Sequence, residues 1–407
     1  MAGPLTGLRV LDISRVLAGP WASQMFADMG ADVIKIERPG AGDDTRKFGP
    51  PWIVDPATGE QIDAAYYASA NRGKRSVTLD IASPRGREIA HALVATTDIM
   101  LENYKVGALA KYGLDYAAVA AVNPRVIYCS ITGFGQTGPY RNRPGYDFLI
   151  QGMGGLMSVT GERDDLPGGG PQRAGVALAD ILTGMYASSA ILAALHHRTA
   201  TGRGQYIDLA LLDTQVATLA NQGMNWLIGG DVPKRSGNGH PNIVPYQAFA
   251  TADGHIILAV GNDEQFARFC KAVGRDEIAA DARYSIIAAR NANRDVLIPI
   301  LAGIIGAHTT DYWIALLESV QVPCGPINTI DRVFADPQVA ARQMRLDLPH
   351  PRTGTLPSIA NPIRFSETPI EYTHAPPMLG QHTDEVLGEL LGYDAAELAR
   401  LRAQGVI

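Results

Sequence analysis

LRVLDI at residues 8–13 and ADVIKIE at residues 31–37 are the two apolar runs that decide the predicted fold. Each run has the length and composition of a buried strand. Gly19 and Pro20 break the chain after the first run, and residues 21–29 suit a helix. A strand, a helix and a second strand in this order place the two strands parallel in one sheet.

The same alternation continues through the first half of the chain. Further strands are predicted at residues 76–81, 99–102, 126–131 and 205–210. Ser83 followed by Pro84 is typical of a helix N-cap and first helical position between two of these strands. Repeated alternation predicts an α/β fold with a doubly wound parallel sheet. The turn at residues 15–20 is RVLAGP rather than Gly-x-Gly-x-x-Gly, so a dinucleotide-binding function loses its main signal.

A second, smaller α/β region follows a shift in composition. A glycine-rich loop at residues 236–241 precedes a predicted strand at 255–260 and a helix at 263–273. The last segment is rich in proline and ends in two predicted helices, at 383–391 and 395–403.

Two long stretches, residues 38–75 and 340–380, show no regular pattern. Stretches of this length are unusual in an isolated compact domain. Functional loops, or a partner chain packed against them, would explain both.

Composition narrows the function. The net charge of −6 over 407 residues argues against nucleic-acid binding, which needs a basic surface. Three scattered cysteines without metal-ligand spacing predict no metal site and fit a reducing compartment. The N-terminus lacks the pattern of a secretory signal, and the apolar stretch at residues 185–195 is too short for a bilayer. We therefore expect a cytoplasmic protein that binds neither nucleic acid nor a membrane.

Basic side chains flank two of the predicted strands. Arg38 follows the second strand, and Arg72, Lys74 and Arg75 precede the third. Ligands of open parallel sheets bind beside the carboxyl ends of strands. Four cations near one sheet edge would suit a polyphosphate group. The alternative is an ordinary solvated loop.

Three further segments could contact a ligand. Asn103 and Tyr104 follow another strand and could hold an adenine or a pantetheine arm. The glycine loop at 133–139 is followed by Tyr146 and Asp147, which could donate and accept hydrogen bonds. The loop at residues 236–242 could be a lid. Each segment has an ordinary explanation as well. Asn103 could serve only to form a turn, the glycines at 133–139 could simply form a loop, and residues 236–242 could be an interdomain linker.

Asp180 stands at the head of a long, alanine-rich helical stretch. A lone carboxylate is costly to bury there unless it is paired or used. Such a carboxylate can act as a covalent nucleophile. It can also serve simply as a helix N-cap, and its own surroundings favour that explanation.

Taken together, these segments resemble the family III CoA-transferases of the CaiB/BaiF type, a group that also contains α-methylacyl-CoA racemases and carnitine CoA-transferases. The resemblance covers nearly the whole chain. The motifs that carry it are GLRVLD at 7–12, GADVIKIERPG at 30–40, NRGKRS at 71–76, ENY at 102–104, Ala179-Asp180 with Gly184, RTATGRG at 198–204, VPCGPI at 322–327 and LGQHT at 379–383.

The resemblance implies that Asp180 attacks an acyl-CoA thioester, forming an aspartyl mixed anhydride and then an enzyme–CoA thioester. No permanently bound cofactor is implied, since the CoA thioester is a substrate alongside a carboxylic acid. The implied CoA contacts are Leu17, Ala18, Arg38, Arg72, Gly73, Lys74, Asn103, Tyr104, Lys111, Tyr146 and Asp147. The implied lid and substrate contacts are Gly237, Gly239, His240 and Asn242.

The resemblance also implies an architecture. A large Rossmann-like domain would consist of residues 1–225 and the returning segment 336–407, and residues 226–335 would form a small α/β domain. Two such chains would form an interlocked homodimer, each threaded through the other, which would account for the two irregular stretches.

Within the family, Tyr146 stands where the racemases carry a histidine. A phenol ionises near pH ~10 and is a poor base for an α-proton, which disfavours racemisation. Residues 239–249 look most like the branch that transfers CoA from succinyl-CoA to dicarboxylic acids such as hydroxymethylglutarate or glutarate. A 2-methylacyl-CoA racemase or epimerase and a non-catalytic acyl-CoA-binding protein stay open as alternatives.

Overall fold

A computed structural model describes residues 3–407 and contains the predicted alternation of strands and helices. The strands are β1 Arg9–Asp12, β2 Asp32–Glu37, β3 Trp52–Val54, β4 Gln61–Ala64, β5 Arg75–Thr78, β6 Ile99–Glu102, β7 Ile127–Thr132, β8 Gln205–Ala210, β9 Tyr246–Ala250, β10 His255–Ala259, β11 Cys324–Pro326, β12 Arg345–His350 and β13 Gly354–Ile359.

The helices are α1 Ala18–Asp28, α2 Ala65–Ala68, α3 Pro84–Val94, α4 Tyr116–Val122, α5 Asp147–Met153, α6 Leu156–Val159, α7 Leu178–Thr201, α8 Leu211–Ala217, α9 Ala220–Gly229, α10 Asp263–Ala272, α11 Asp276–Ala280, α12 Ile287–Ala292, α13 Arg294–Ile305, α14 Thr310–Ser319, α15 Ile330–Ala335, α16 Pro337–Ala341, α17 Thr383–Leu391 and α18 Ala395–Ala403.

Six strands form one parallel sheet in the order β5-β2-β1-β6-β7-β8. Val10 of β1 pairs with Val33 of β2 on one side and with Ile99 of β6 on the other. The predicted α/β fold with a parallel sheet is therefore confirmed. The N-cap prediction for α3 is also confirmed, because the Ser83 hydroxyl accepts a hydrogen bond from the Gly86 amide.

The sheet is buried on both faces, as a parallel sheet requires. Leu11 points to a cluster that includes Ile89 of α3 and Val386 of α17. Its neighbour Val10 points to the opposite cluster, with Phe26 of α1 and Ile191 of α7. The strand period of two thus divides one apolar run between two layers of helices.

The helix α7 is 24 residues long, and its most apolar window has a mean hydropathy of 1.5. By length and composition alone it could cross a membrane, contrary to the expectation drawn from residues 185–195. In this structure α7 packs against α1, β7 and β8 of the sheet.

Two hairpins occupy parts of the stretches that show no pattern in the sequence. Strands β3 and β4 pair antiparallel within residues 38–75, and β12 and β13 pair antiparallel within residues 340–380. A small cluster of buried apolar residues joins them, with Ile53, Leu348 and Leu356 at its centre.

The chain divides into two compact units. Residues 3–156, 174–223 and 338–407 form the first, and residues 157–173 and 224–337 form the second. Residues 157–173 thus pack outside the first unit, although they lie inside the predicted segment 1–225.

The second unit contains a three-stranded antiparallel sheet in the order β11-β10-β9. Phe266, Phe269 and Trp313 fill its core. The guanidinium of the fully buried Arg290 donates to the carbonyl oxygens of Val244 and Tyr284 and to the Asp263 carboxylate.

Gly184 sets the approach of α7 to α1 in the first unit. A Cβ atom at this position would lie 2.7 Å from the Ala18 carbonyl oxygen and 3.1 Å from the Trp21 side chain. We predict that Gly184→Ala destabilises the protein by about 1–3 kcal/mol, because the two helices must separate. The measurement is the unfolding midpoint in urea.

Gly303→Ala is the matched control. Gly303 lies inside α13, and a Cβ atom there would meet nothing within 4 Å. Alanine should stabilise that helix by up to about 1 kcal/mol. Equal midpoints for the two variants would contradict the proposed packing of Gly184.

Candidate active site

A groove of about 180 Å³ opens at the carboxyl ends of β1, β6 and β7 in the first unit. Its walls come from the segments that follow these strands and from the start of α7. They include Leu17, Ala18, Asn103, Tyr104, Tyr146 and Asp180. The structure therefore brings together six of the residues predicted for the site, as expected for ligand binding at the strand ends of a parallel sheet.

Asp180 is not the N-cap of its helix. The N-cap position of α7 is Ala177, and Asp180 is the third helical residue. The Asp147 carboxylate fills the capping role, because its Oδ1 accepts hydrogen bonds from the Ala179 amide at 2.8 Å and the Asp180 amide at 3.3 Å. The N-cap explanation of Asp180 is therefore wrong, and the buried Asp147 is the capping acid.

Burial raises the pKa of Asp180 to about 7, and the negative charge of Asp147 adds to this effect. Within the described residues no donor is hydrogen-bonded to the Asp180 carboxylate. A carboxylate in this condition is ionised in a large fraction of molecules near neutral pH, and it keeps its lone pairs available. The position of Asp180 in the first turn of α7 favours the ionised form through the helix dipole.

The side-chain amide of Asn103, in the wall of the same groove, is bound to the backbone of Arg15. Its Oδ1 accepts from the Arg15 amide at 2.9 Å, and its Nδ2 donates to the Arg15 carbonyl oxygen at 2.6 Å. The guanidinium of Arg15 lies 5.5 Å from the Tyr104 ring centre. These contacts give the wall a defined shape.

A second depression of about 520 Å³ adjoins the groove and shares Arg15 and Tyr104 with it. Arg38 lines this depression and its side chain is exposed. Lys111 lines neither cavity, and its Nζ lies 4.7 Å from the ring centre of Tyr112, which borders the depression. This region offers cations and aromatic faces beside the groove.

The grouping of four free cations at one sheet edge is wrong. Strands β2 and β5 run parallel, with Ile34 opposite Arg75, so Arg38 lies at the carboxyl end while residues 72–74 lie toward the amino end. The Arg72 guanidinium forms a buried ion pair with Asp28.

Lys74 and its neighbours are likewise engaged inside the protein. The Lys74 Nζ is buried and donates to the Asp12 carboxylate at 3.2 Å and to the Pro20 carbonyl oxygen at 3.0 Å. Gly73 adopts a φ of +72°, in the left-handed region that favours glycine. Arg75 forms ion pairs with Asp32 and with two glutamates of α17. The side chains of Arg72 and Lys74 therefore brace the fold.

The predicted lid belongs to the second unit, where His240 has a defined hydrogen-bonding state. Its Nδ1 accepts from the Asn242 and Ile243 amides at 3.0 and 3.1 Å. Burial and the nearby Arg294 lower the pKa of His240. The ring is therefore neutral at physiological pH, with its proton on Nε2. Gly237, with a φ of +58°, provides the left-handed turn of the loop.

Sequence reasoning missed several residues near Asp180. Arg141 and Arg143 line the groove, and the Arg143 guanidinium lies 4.6 Å from the Tyr140 ring centre. Burial and the charges of Asp180 and Asp147 raise the pKa of Tyr66, so its phenol lies within electrostatic range of both acids. The RNR run at 141–143, inside a glycine loop, was a signal for the arginines. Nothing adjacent in sequence pointed to Tyr66.

No group of three or more His, Cys, Asp and Glu side chains suited to a metal ion occurs among residues 3–407.

Comparisons with known proteins agree on one family. Residues 5–383 match the model of the family described as CoA-transferase family III. The chain is 52% identical to a succinate–glutarate CoA-transferase of Agrobacterium fabrum, over 95% of this chain and 96% of that protein. It is 43% identical to the human succinyl-CoA:glutarate CoA-transferase, over 99% of this chain and 90% of that protein. A crystal structure of a CaiB/BaiF family protein from Brucella suis superposes with a TM-score of 0.84 at 49% identity, covering 96% of this chain and all of that one.

The raised pKa of Asp180 predicts a pH-dependent cost of folding. Its carboxyl ionises at about 7 in the folded chain but near 3.8 when unfolded, so the folded state loses stability as pH rises from about 4 to 7. We predict that Asp180→Asn matches the parent chain at pH 4 and becomes more stable above it. The difference should level off above pH 7, on the order of 4 kcal/mol. The measurement is the urea unfolding midpoint between pH 4 and 8.

Asp213→Asn serves as the control, since Asp213 is an exposed acid in the first turn of α8. Its stability difference from the parent chain should not follow the same curve. A pH-independent effect of Asp180→Asn would contradict the assignment of a raised pKa.

Proposed function

Because the chain belongs to CoA-transferase family III, we propose that it moves CoA from succinyl-CoA to a dicarboxylic acid such as glutarate, with Asp180 as the nucleophile. The observation that carries this proposal is the half-buried Asp180, whose pKa is raised, in a groove at the strand ends. Two relatives whose names state glutarate as a substrate support the choice of acceptor.

The reaction proceeds by exchange at one carboxyl group. The ionised Asp180 attacks the thioester carbonyl, the C–S bond breaks, and CoA thiolate leaves an aspartyl mixed anhydride. The thiolate then attacks the aspartyl carbonyl, releasing succinate and leaving an Asp180–CoA thioester. The acceptor carboxylate attacks this thioester and forms a second anhydride with release of the thiolate. Attack of the thiolate on the acceptor's acyl carbon restores Asp180.

The contacts of CoA divide between the two neighbouring cavities. Leu17, Ala18, Tyr104 and Tyr146 line the groove with Asp180 and contact the thioester and pantetheine arm. Arg38 in the adjoining depression provides a charge for the phosphates, and Lys111 lies close by. Arg72 and Lys74 support this surface from inside, since internal acids already neutralise their charges.

The lid contributes to recognition of the acid. Gly237, Gly239, His240 and Asn242 lie on one glycine-rich loop of the second unit. Because His240 is neutral, it acts on the second carboxylate of the acceptor as an Nε2–H donor and not as a counter-charge.

The active assembly is an interlocked homodimer. Large apolar side chains at the end of α9 are exposed in the single chain, with Leu227 at 68% and Ile228 at 80%. Contiguous apolar surface of this kind is typical of an interface. A second copy of the chain covers it.

We predict that the purified protein converts succinyl-CoA and glutarate into glutaryl-CoA and succinate, and that Asp180→Ala abolishes this conversion without unfolding the chain. Burial of a neutral methyl group in place of the carboxylate removes the nucleophile but no structural hydrogen bond. The measurement is product formation across about a dozen mono- and dicarboxylic acids, ranked by kcat/KM.

Trapping identifies the covalent step. Borohydride or hydroxylamine added with succinyl-CoA should modify the peptide that contains Asp180, as read by mass spectrometry. Modification at another carboxylate would contradict the mechanism. Exchange of the α-proton of a 2-methylacyl-CoA without an acceptor acid would indicate a racemase instead.

We predict a solution mass near twice the chain mass of 43.4 kDa, measured by light scattering after size exclusion. If the chains are interlocked, two differently tagged proteins that folded separately should not exchange subunits over days, because unthreading requires unfolding. Co-expressed tags should form mixed dimers. A monomer at micromolar concentration, or rapid exchange, would contradict this assembly.

A further inference from the structure

We propose that Asp43, held by its ion pair with Lys35, is a positioning residue that keeps the turn at residues 14–18 in place as part of the wall of the groove that contains Asp180. The proposal rests on the proposed function, because its consequence is the rate of the reaction at Asp180. Neither Asp43 nor Lys35 lines the groove itself.

The turn contains a backbone conformation that its residue disfavours. Val16 has a φ of +69°, in the left-handed region. For a β-branched residue this conformation is a genuine outlier, and it persists only where the surroundings impose it. Leu17 and Ala18, the next two residues, line the groove that contains Asp180.

Side chains from other segments bind five successive backbone polar groups of the turn. Asp12 accepts from the Ser14 amide, and Lys35 Nζ donates to the Ser14 carbonyl oxygen, both at 2.9 Å. Asn103 binds the amide and the carbonyl oxygen of Arg15. The Asp43 Oδ1 accepts from the Val16 amide at 3.2 Å. Side-chain hydrogen bonds therefore fix the backbone of Val16 at its amide and the backbone of the two residues before it.

Asp43 is itself fixed and charged. Its side chain is fully buried, and its Oδ2 lies 2.9 Å from Lys35 Nζ. Its Oδ1 also accepts from the amide and hydroxyl of Thr45. Although burial opposes ionisation, Lys35 and these hydrogen bonds lower the pKa of Asp43 to about 2. The carboxylate is therefore a permanent acceptor for the Val16 amide at physiological pH.

The turn packs closely against the start of α1, and α1 packs against α7, the helix that contains Asp180. Gly19 lies so close to Ser14 that a Cβ atom on it would be 2.2 Å from the Ser14 hydroxyl oxygen. The Ala18 carbonyl oxygen contacts Gly184, one helical turn beyond Asp180 in α7. A shift of the turn would consequently move the groove wall relative to the nucleophile.

The test is the kinetics of Asp43→Asn in the succinyl-CoA and glutarate assay. We expect kcat to fall about 10- to 100-fold while the KM for succinyl-CoA changes less than about threefold, because small misplacements penalise the reacting geometry more than binding. Asp55→Asn is the matched control. Asp55 is also a buried acid that accepts two backbone amides, from Ala57 and Thr58, and pairs with Arg352. It does not contact the turn, so its kcat should stay within about twofold.

A second substitution separates positioning from general stability. Val16→Gly removes the cost of the left-handed conformation, so in the Asp43→Asn background it should restore kcat to within about fivefold of the parent enzyme. A solely structural role of Asp43 predicts no such rescue. If Asp43→Asn does not fold, the double variant Lys35→Met/Asp43→Asn is used, because it removes both buried charges. Its kcat is then compared with and without Val16→Gly.

The outcomes are distinct. An inactive parent enzyme overturns the proposed function. If the parent enzyme is active, three results overturn the positioning role alone. They are an unchanged kcat in Asp43→Asn, an equally large loss of kcat in Asp55→Asn, and no recovery of kcat when Val16→Gly is added to Asp43→Asn. A kcat-specific loss with rescue supports the role.

Discussion

The hydrogen bonds that Asp147 accepts from the first turn of α7 are the interaction on which the candidate site depends. They satisfy amides that the helix leaves without partners and fix where the helix begins. They also leave Asp180 free of the capping role, with its own carboxylate directed to the groove. Burial raises the pKa of Asp180, and the Asp147 charge that anchors the helix adds to this shift. Asp147 therefore contributes both to the start of the helix and to the pKa of Asp180.

Buried charge extends well beyond these two acids. Asp12 with Lys74 and Lys35 with Asp43 are fully buried ion pairs. Desolvation makes such pairs poor contributors to net stability compared with apolar packing. Their hydrogen bonds to the turn after β1 suggest a different benefit, since they define one geometry for a segment that would otherwise relax. Removal of one partner leaves the other charge buried and unpaired, so a single substitution in either pair is destabilising.

The fold was predicted well from the sequence in segments whose apolar pattern is regular over a whole strand or helix. Strand period and helix caps placed the parallel sheet, and α17 and α18 were predicted to the residue. The hairpins were missed because β3 has only three residues and β13 carries Pro357 inside the strand. Residues 157–173 are polar and rich in glycine, so their packing with the second unit had no local signal.

For the site, strand ends predicted which segments converge, but not which side chains are already engaged. Lys74 and Arg72 look like free cations in the sequence because their acidic partners, Asp12 and Asp28, lie far away along the chain. Tyr66 was missed for the same reason. Charge pairing across a sheet is a tertiary property that neither composition nor spacing contains.

In the proposed mechanism Asp180 attacks and then leaves within one cycle, and a pKa near neutrality suits both steps. A carboxylate with an ordinary pKa would be fully ionised at pH 7 but less nucleophilic, and a much more basic one would be protonated. Burial moves the pKa of Asp180 between these limits, and it would also limit the access of water to the proposed anhydride. In that mechanism a single physical change, the withdrawal of one carboxyl from solvent, would serve both the reactivity of the nucleophile and the survival of the mixed anhydride.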